Sequence, residues 1–291
     1  MRKLKIRFIL NPVAGSSKRS EFPDLVRRVL SSDRFDYEIY VSEYPGQAAV
    51  LAQVAVDKHY DIVAVVGGDG TINQVGTTLI GTDVAMAVIP CGSGNGLSRC
   101  LNIPLNTLKA LDLINRMAVC DIDTVTVNDL PFISIAGTGY DAQVAHDYAH
   151  DTRHGFNTYL RYIVKNYFTL GEQEYTLILE DRKFTTKAFF ISFANSNQMG
   201  YDVPISPNAS LWDGKVDICI VRKPNPLELP IVGSFFLTSH MDKSPKVEIL
   251  QVPEATIIRP EAAVLNIDGE SVMFEKDLHI KINPLSLHVI V

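Results

Sequence analysis

Five apolar residues in a row, Ile62-Val63-Ala64-Val65-Val66, run directly into Gly67-Gly68-Asp69-Gly70-Thr71. An unbroken apolar run of that length describes a strand buried on both faces, the kind found in parallel sheets covered by helices. The pattern recurs at Val84–Ile89, which leads into Pro90-Cys91-Gly92-Ser93-Gly94-Asn95-Gly96. Ile6–Leu10 is followed by Asn11-Pro12-Val13-Ala14-Gly15-Ser16-Ser17-Lys18, and Tyr37–Val41 by Ser42. Four consecutive strands therefore end in small, hydrogen-bonding residues. Ligands of open α/β sheets bind beyond the carboxyl ends of the strands, so these four ends read as one nucleotide site.

Helical spacing fills the gaps between those strands. Phe22–Leu30, Gln47–Val56, Ile72–Leu79 and Leu105–Ile114 each carry an apolar stripe or an Ala/Val-rich run. The alternation predicts an α/β domain with a parallel sheet over residues 1–120. The pattern then changes. Short strands at Ile122–Val127, Phe132–Ile135, Tyr175–Leu179, Phe184–Phe193, Val216–Val221, Lys246–Gln251, Ala255–Ile258, Ala263–Ile267 and Leu278–Ile282 predict an all-β sandwich or open barrel over 121–284. Helices at Tyr159–Leu170 and Leu227–Thr238 interrupt it, the second capped by Asn225 with Pro226 behind it. The last strand, 285–291, is free to return to the first domain.

The chain has 291 residues, 46% of them hydrophobic and 21% charged, enough for two packed domains. Its formal net charge of −6 argues against a nucleic-acid partner. Residues 1–34 are the exception, with nine Lys and Arg against three acids, and such an end suits phosphates or anionic lipid heads. The four cysteines, Cys91, Cys100, Cys120 and Cys219, form no CxxC pair, which fits a reduced cytosolic compartment. Lys5 and Arg7 interrupt the first apolar run, so it does not read as a signal peptide, and no apolar stretch approaches the ~20 residues of a membrane span. Any work on membranes is then done from the cytosol.

Glycines let a backbone approach a ligand closely, and a helix N-terminus offers unpaired N–H groups. The Gly67–Thr71 loop thus suits phosphate. Asp69, an acid where phosphate would sit, makes sense as a holder of Mg²⁺ directly or through water; the plainer reading is an N-capping acid in a tight turn. There is no GxxxxGK[ST] motif, no HRD and no DFG, which excludes the P-loop and protein-kinase routes to ATP. Asp268-Gly269 reads on its own as a hairpin turn, because Asp-Gly favours type I′. His146, His150 and His154 share a helical face; neighbouring pairs could chelate a metal, but the ends lie ~12 Å apart at 1.5 Å per residue, too far for one ion to take all three, and a polar surface helix is the plainer reading. Tyr159, Tyr162, Ile163, Tyr167 and Phe168, and later Phe235-Phe236-Leu237, serve either the core or a lipid-facing wall.

In combination these motifs resemble the diacylglycerol kinase and sphingosine kinase catalytic family. The resemblance rests on Asn11-Pro12-x-x-Gly15, Gly67-Gly68-Asp69-Gly70-Thr71, Pro90-x-Gly92-Ser93-Gly94-Asn95, Arg99-x-Leu101-x-Ile103-Pro104, Gly139-Tyr140-Asp141-Ala142, Leu211-Trp212-Asp213-Gly214 and Asp268-Gly269-Glu270, in that order along the chain. It implies a lipid kinase dependent on ATP and Mg²⁺, with an α/β domain, a β-sandwich and an active site in the cleft between them. It further implies that Asn11, Ser42, Gly67, Gly68, Asp69, Gly70, Thr71, Asn73, Gly92, Ser93 and Asn95 bind the nucleotide. By the same resemblance Asp69 and Asp121 organise the catalytic Mg²⁺. Asp268 is the general base, with Glu270 as partner or substitute. Ser210, Asp213 and Lys215 hold a structural Mg²⁺.

Two positions depart from the family pattern. Gly96 stands where many bacterial members carry Asp. Gln143 falls where sphingosine kinases place an acid for the substrate amine, with Asp141 two residues away. The acceptor is expected to be diacylglycerol or a sphingoid base, presented at a membrane surface to a peripherally bound enzyme. The alternatives are an NAD kinase-like enzyme and a non-catalytic sensor of the same fold. Oligomeric state is not written in the sequence; a homodimer is one arrangement it allows.

Overall fold

The computed structural model describes residues 2–12, 21–92, 94–151, 153, 156–198 and 205–291. Two compact units emerge. The first consists chiefly of Met1–Thr124 and Pro284–Val291, the second of Val125–Met199 and Val203–Asn283.

The first unit runs β1 (Leu4–Leu10), α1 (Phe22–Val29), β2 (Phe35–Val41), α2 (Gln47–Asp57), β3 (Ile62–Gly67), α3 (Asp69–Leu79), β4 (Ala85–Pro90), α4 (Gly96–Cys100), α5 (Thr107–Arg116) and the start of β5 (Val119–Val127). Its strands lie in the order β2-β1-β3-β4, all parallel. Every residue of β3 and β4 is buried, as their unbroken apolar runs require. Helix starts follow local chemistry. Gly46, at φ +84°, turns the chain into α2, and the Asn106 side chain accepts the N–H groups of Leu108 and Lys109 to cap α5. Arg7 is the one cation buried among the described residues of this sheet; its guanidinium stacks over Tyr40 and Tyr60 at 4.4 and 4.6 Å and meets Glu38 at 3.4 Å.

The second unit continues with β6 (Leu130–Phe132), β7 (Ile135–Gly139), α6 (Tyr140–Ala149), α7 (Phe156–Thr169), β8 (Gln173–Ile178), β9 (Lys183–Ala188), β10 (Phe190–Ala194), β11 (Val216–Val221), α8 (Leu229–Leu237), β12 (Val247–Val252), β13 (Glu254–Ile258), β14 (Ala263–Ile267), β15 (Glu270–Phe274) and β16 (Asp277–Ile290). One sheet pairs β16-β13-β8-β9; the other runs β12-β11-β10-β7-β14-β15; both are antiparallel here. Val125, Tyr175 and Ile257 from the first and Phe193, Ile218 and Leu265 from the second fill one apolar core between them. At the very end of the chain Val289 pairs in parallel with Met86 of β4, inside the first unit.

Three sequence expectations change. Phe184–Phe193 is not one strand, because the chain leaves the first sheet at Ala188 and enters the second at Phe190. Helix α8 begins at Leu229, since Asn225 caps a turn whose N–H groups belong to Leu227 and Glu228. A further helix, α6, springs directly from β7 through Gly139 at φ +98°. A Cβ there would lie 2.7 Å from the Phe189 carbonyl oxygen, so the close approach demands glycine as much as the dihedral does.

Candidate active site

The two glycine loops of the first unit are built as one object. Cys91 N–H donates to the Gly67 carbonyl at 2.8 Å, continuing the β3–β4 pairing past the strand ends. Beyond that point the backbones close in. A Cβ on Gly92 would stand 2.6 Å from Gly68 Cα, and one on Gly94 would stand 2.7 Å from Asp69 Oδ2. Asp69 fastens the loops: its Oδ2 accepts Asn95 N–H at 2.9 Å and its Oδ1 accepts Gly96 N–H at 2.8 Å. It thereby caps α4, the first helix of the second loop. Asn95, in the left-handed region at φ +53°, folds its amide back on Gly92, accepting Gly92 N–H at 2.9 Å and donating to the Gly92 carbonyl at 2.7 Å. Arg99 Nε donates to the Gly94 carbonyl at 3.0 Å.

The first strand joins the same rim. Asn11 Nδ2 donates to Thr71 Oγ1 at 2.7 Å, and Gly67 must be glycine because its Cβ would meet Thr71 Cβ at 2.7 Å. Ser42 is buried and turns its hydroxyl to the Leu10 carbonyl at 3.3 Å. The first intrahelical bond of α3 runs from Ile72 N–H to the Gly68 carbonyl, so the N–H groups of Asp69, Gly70 and Thr71 at its start have no partner within the helix. Asn73, one turn in, has its Oδ1 shut off from solvent without a hydrogen-bond partner. Unpaired N–H groups at a helix start suit phosphate oxygens, and an unmet acceptor beside them suits a ligand that also carries donors. A nucleoside triphosphate has both. Ser93 and residues 13–18 of the first loop lie outside the described residues.

Asp121 behaves otherwise. It is exposed, and its carboxylate lies 2.5 Å from His288 Nδ1. The buried acid of this strand is Asp123, whose Oδ1 accepts Leu285 N–H at 2.8 Å. The spacing Asp-x-x-x-Val occurs twice, at Asp121–Val125 and Asp123–Val127, and the two acids differ in burial. Burial pushes the Cys91 thiol above its usual range, which keeps it a poor nucleophile inside the glycine loop.

In the second unit, Asp268 and Gly269 form the two-residue turn between β14 and β15, both at positive φ (+46° and +92°). The Asp268 carboxylate is turned onto the backbone: Oδ2 accepts Ile133 N–H at 2.8 Å, and Oδ1 accepts Ser134 and Ile135 N–H at 2.9 and 2.8 Å. Asn195 and Ser196 secure the same segment from its other side, through the Ile133 and Ser134 carbonyls. At the far end of the hairpin Arg259, fully buried, donates to the Thr138 hydroxyl and to the carbonyls of Ala263, Val264, Phe274 and Glu275. Glu270 is the exposed first residue of β15. Three N–H donors hold this carboxylate in place, a geometry that suits a positioning role for Asp268.

Asp213 lies on an exposed loop, where its Oδ1 accepts Lys215 N–H at 3.1 Å; Ser210 Oγ accepts Trp212 N–H at 3.3 Å. One carboxylate with nearby backbone carbonyls is the donor set of a hydrated Mg²⁺ site. Among the described residues no three His, Cys, Asp or Glu side chains gather around a metal-sized space. The histidine stripe reduces to His146 beside Ser271 (3.2 Å) and His150 tilted against His146 with ring centroids 4.2 Å apart, while His154 lies outside the described residues. Gln143 donates to Asp147. Asp141 is seated against Gly137, where any Cβ would meet its Oδ2 at 2.4 Å, and burial raises its pKa to about 7.

A parallel sheet with interlocked glycine loops at its carboxyl rim, followed by an antiparallel sandwich, defines a two-unit α/β-plus-β-sandwich protein with a rim suited to phosphate. Residues 5–127 match the family model of the diacylglycerol kinase catalytic domain, and residues 134–291 match that of the YegS C-terminal NAD kinase beta sandwich-like domain. A diacylglycerol kinase of Staphylococcus saprophyticus is 28% identical over 277 residues, covering 93% of this chain and 90% of that protein. One of Staphylococcus aureus is 28% identical over 276 residues, covering 93% and 87%. A solved structure from Bacillus anthracis str. Sterne, described as a diacylglycerol kinase, shares the fold at a TM-score of 0.77 with 19% identity, over 100% of this chain and 97% of that one. The chain belongs to the diacylglycerol kinase-like family of lipid kinases. Among the described residues no helix is long and apolar enough to cross a membrane.

Proposed function

We propose that this lipid kinase transfers the γ-phosphoryl group of ATP, in the presence of Mg²⁺, to the free hydroxyl of diacylglycerol. The observation that carries the reading is the fastening of both glycine loops by Asp69, which leaves the N–H groups at the start of α3 for phosphate. Preorganised donors of this kind stabilise charge that spreads over phosphoryl oxygens in transfer. The relatives named above favour diacylglycerol as the acceptor over a sphingoid base.

Each residue has a part. Gly67, Gly68, Gly70 and Gly92 keep the rim open to phosphate, while Asn11, Ser42, Thr71 and Asn95 hold its shape through the bonds described. Asn73 offers its unmet acceptor to the nucleoside. Mg²⁺, when bound, neutralises phosphate charge; each Asp69 oxygen that takes an N–H keeps a second lone pair for it or its water. Glu270 takes the acceptor's hydroxyl proton, and Asp268 positions it by fixing the turn. Ser210, Asp213 and Lys215 would hold a separate, structural Mg²⁺.

The test is ³²P transfer from labelled ATP into diacylglycerol, sphingosine, ceramide, monoacylglycerol and NAD. Label in diacylglycerol, lost in Asp69→Ala, supports the reading. Label confined to sphingosine or NAD reassigns the acceptor. ATP bound without label in any acceptor overturns it in favour of a sensor.

A further inference from the structure

Helix α8 is the most apolar helix of the chain. Its nine residues, Leu-Pro-Ile-Val-Gly-Ser-Phe-Phe-Leu, carry no charge. One side packs inward, with Val232 and Phe235 against the apolar cluster of Phe189, Val221 and Met241 on the outer face of the six-stranded sheet. Among the side chains described, those of Pro230, Ile231 and Ser234 are exposed. Leu227, in the turn that leads into the helix, is 88% exposed, Ile231 is 58% exposed and Leu229 is 39% exposed. An isolated exposed leucine needs no explanation, but Leu227 and Ile231 lie one helical turn apart and share a side, a ridge that water does not favour; Leu229, two residues from Ile231, lies across the helix from it.

The charges around this ridge are of one prevailing sign. Residues 222–246 contain Arg222, Lys223, Lys243 and Lys246 against Glu228 and Asp242, in a chain whose net charge is −6. Lys246 pairs with Glu228 at 2.9 Å and Lys223 donates to the Leu170 carbonyl, so the cations left exposed to a headgroup are Arg222 and Lys243, against Asp242. An uncharged helix with exposed apolar side chains and a basic surround is the composition of an interfacial segment, which buries its apolar face at the headgroup boundary and draws on anionic lipid for the rest.

We propose that α8, with Leu227 at its approach, is the face by which this chain docks on an anionic bilayer. The inference rests on the proposed reading that the acceptor is a membrane lipid. Such an acceptor lies in a bilayer, and this ridge supplies a contact with it.

The experiment is sedimentation of the full chain with vesicles of phosphatidylcholine alone or of equal parts phosphatidylcholine and phosphatidylglycerol. It compares the unaltered chain with Leu227→Asp/Ile231→Asp and with Val50→Asp, which alters an exposed apolar residue of α2 in the first unit. The expected result is binding to the anionic vesicles, at least tenfold weaker in the double variant and unchanged in Val50→Asp. Raising salt from about 0.1 M to about 1 M, which shortens the screening length from ~10 Å to ~3 Å, should weaken it further. Phosphorylation of a short-chain, water-dispersed diacylglycerol should be unaffected by the double variant. That arm separates the two readings, because it reports on the kinase alone. Equal sedimentation of variant and unaltered chain, or no binding of the unaltered chain to either vesicle, overturns the docking assignment. So does light scattering that shows a dimer split by the double variant, since a second copy then covers the ridge. Should the Asp variant lose its circular dichroism, Leu227→Ser/Ile231→Ser is read in its place.

Discussion

Asp69 Oδ1 accepts the backbone N–H of Gly96 at 2.8 Å, so the acid of the first glycine loop is the anchor of the second. The residue that the sequence marks for metal chemistry also determines the shape of the loops around it. Asp69→Ala should therefore abolish turnover and also loosen the fold. Two N–H groups lose their acceptor, at about 1–3 kcal/mol each where they are shielded from water. The expected outcome is loss of phosphoryl transfer beyond 100-fold together with a melting temperature lower by several degrees. An inactive variant of unaltered stability would assign Asp69 to the chemistry alone.

Gly92→Ala tests the rim without touching a charged group. The added Cβ falls 2.6 Å from Gly68 Cα, so one backbone has to move. The KM for ATP should rise at least tenfold. Gly171→Ala is the control: nothing lies within 4 Å of its Cβ and its φ is not positive, so ATP kinetics should not change. A normal KM in Gly92→Ala would mean that the nucleotide does not lie along this rim.

Glu270→Gln and Asp268→Asn separate base from scaffold. The first should lower kcat by ~10²–10⁴ with ATP affinity preserved, as loss of a general base does. The second keeps a residue that tolerates the turn's positive φ but removes one acceptor oxygen from the N–H groups of Ile133, Ser134 and Ile135. It should lower stability more than it alters the pH profile of kcat. The reverse pattern, with Glu270→Gln active, would return the base role to Asp268.

The first unit was legible because its signals are local. Buried apolar strands, glycines at their ends and helical stripes each sit within a few residues, and the strands emerged where the runs are. The second unit was legible as a class but not in detail. Nothing in Phe184–Phe193 says that Phe189 is where the chain changes sheets, because strand propensity is the same on both sides of that change. Site residues are less legible for a related reason. Asp268 reads as a turn or as a base from the sequence, and the three N–H groups its carboxylate accepts, more than 130 residues away, are not visible there. The Asp-x-x-x-Val spacing fits Asp121 and Asp123 alike, and only burial and the Leu285 N–H distinguish the two acids.

The Asp213 loop offers a test of metal binding that does not depend on activity. With one carboxylate and backbone carbonyls as donors, Mg²⁺ should bind weakly and keep part of its water. Adding Mg²⁺ to metal-free protein should raise the melting temperature by a few degrees through linkage, and Asp213→Ala should remove that increment. An equal increment in the variant would place the stabilising metal elsewhere.

The pH dependence of stability should carry the mark of Asp141. Burial among the sheet residues around Gly137 and Ser192 disfavours its charge and raises its pKa to about 7, even though backbone N–H groups at the start of α6 favour the carboxylate. In the unfolded chain the group ionises near 4. Between those values the folded state holds a proton that the unfolded state has released. Stability from this group is complete below the unfolded pKa and is lost as pH rises through the folded one. The slope is about 1.4 kcal/mol per pH unit, so roughly 3 kcal/mol between pH 5 and pH 7. Asp141→Asn carries no such proton. Its urea midpoint, relative to the unaltered protein, should rise steadily from pH 5 to pH 7 and level off above that. Taking the difference cancels every other titrating group common to both proteins. A difference that does not move with pH would show that Asp141 is ionised in the fold, with the N–H groups of α6 prevailing over burial.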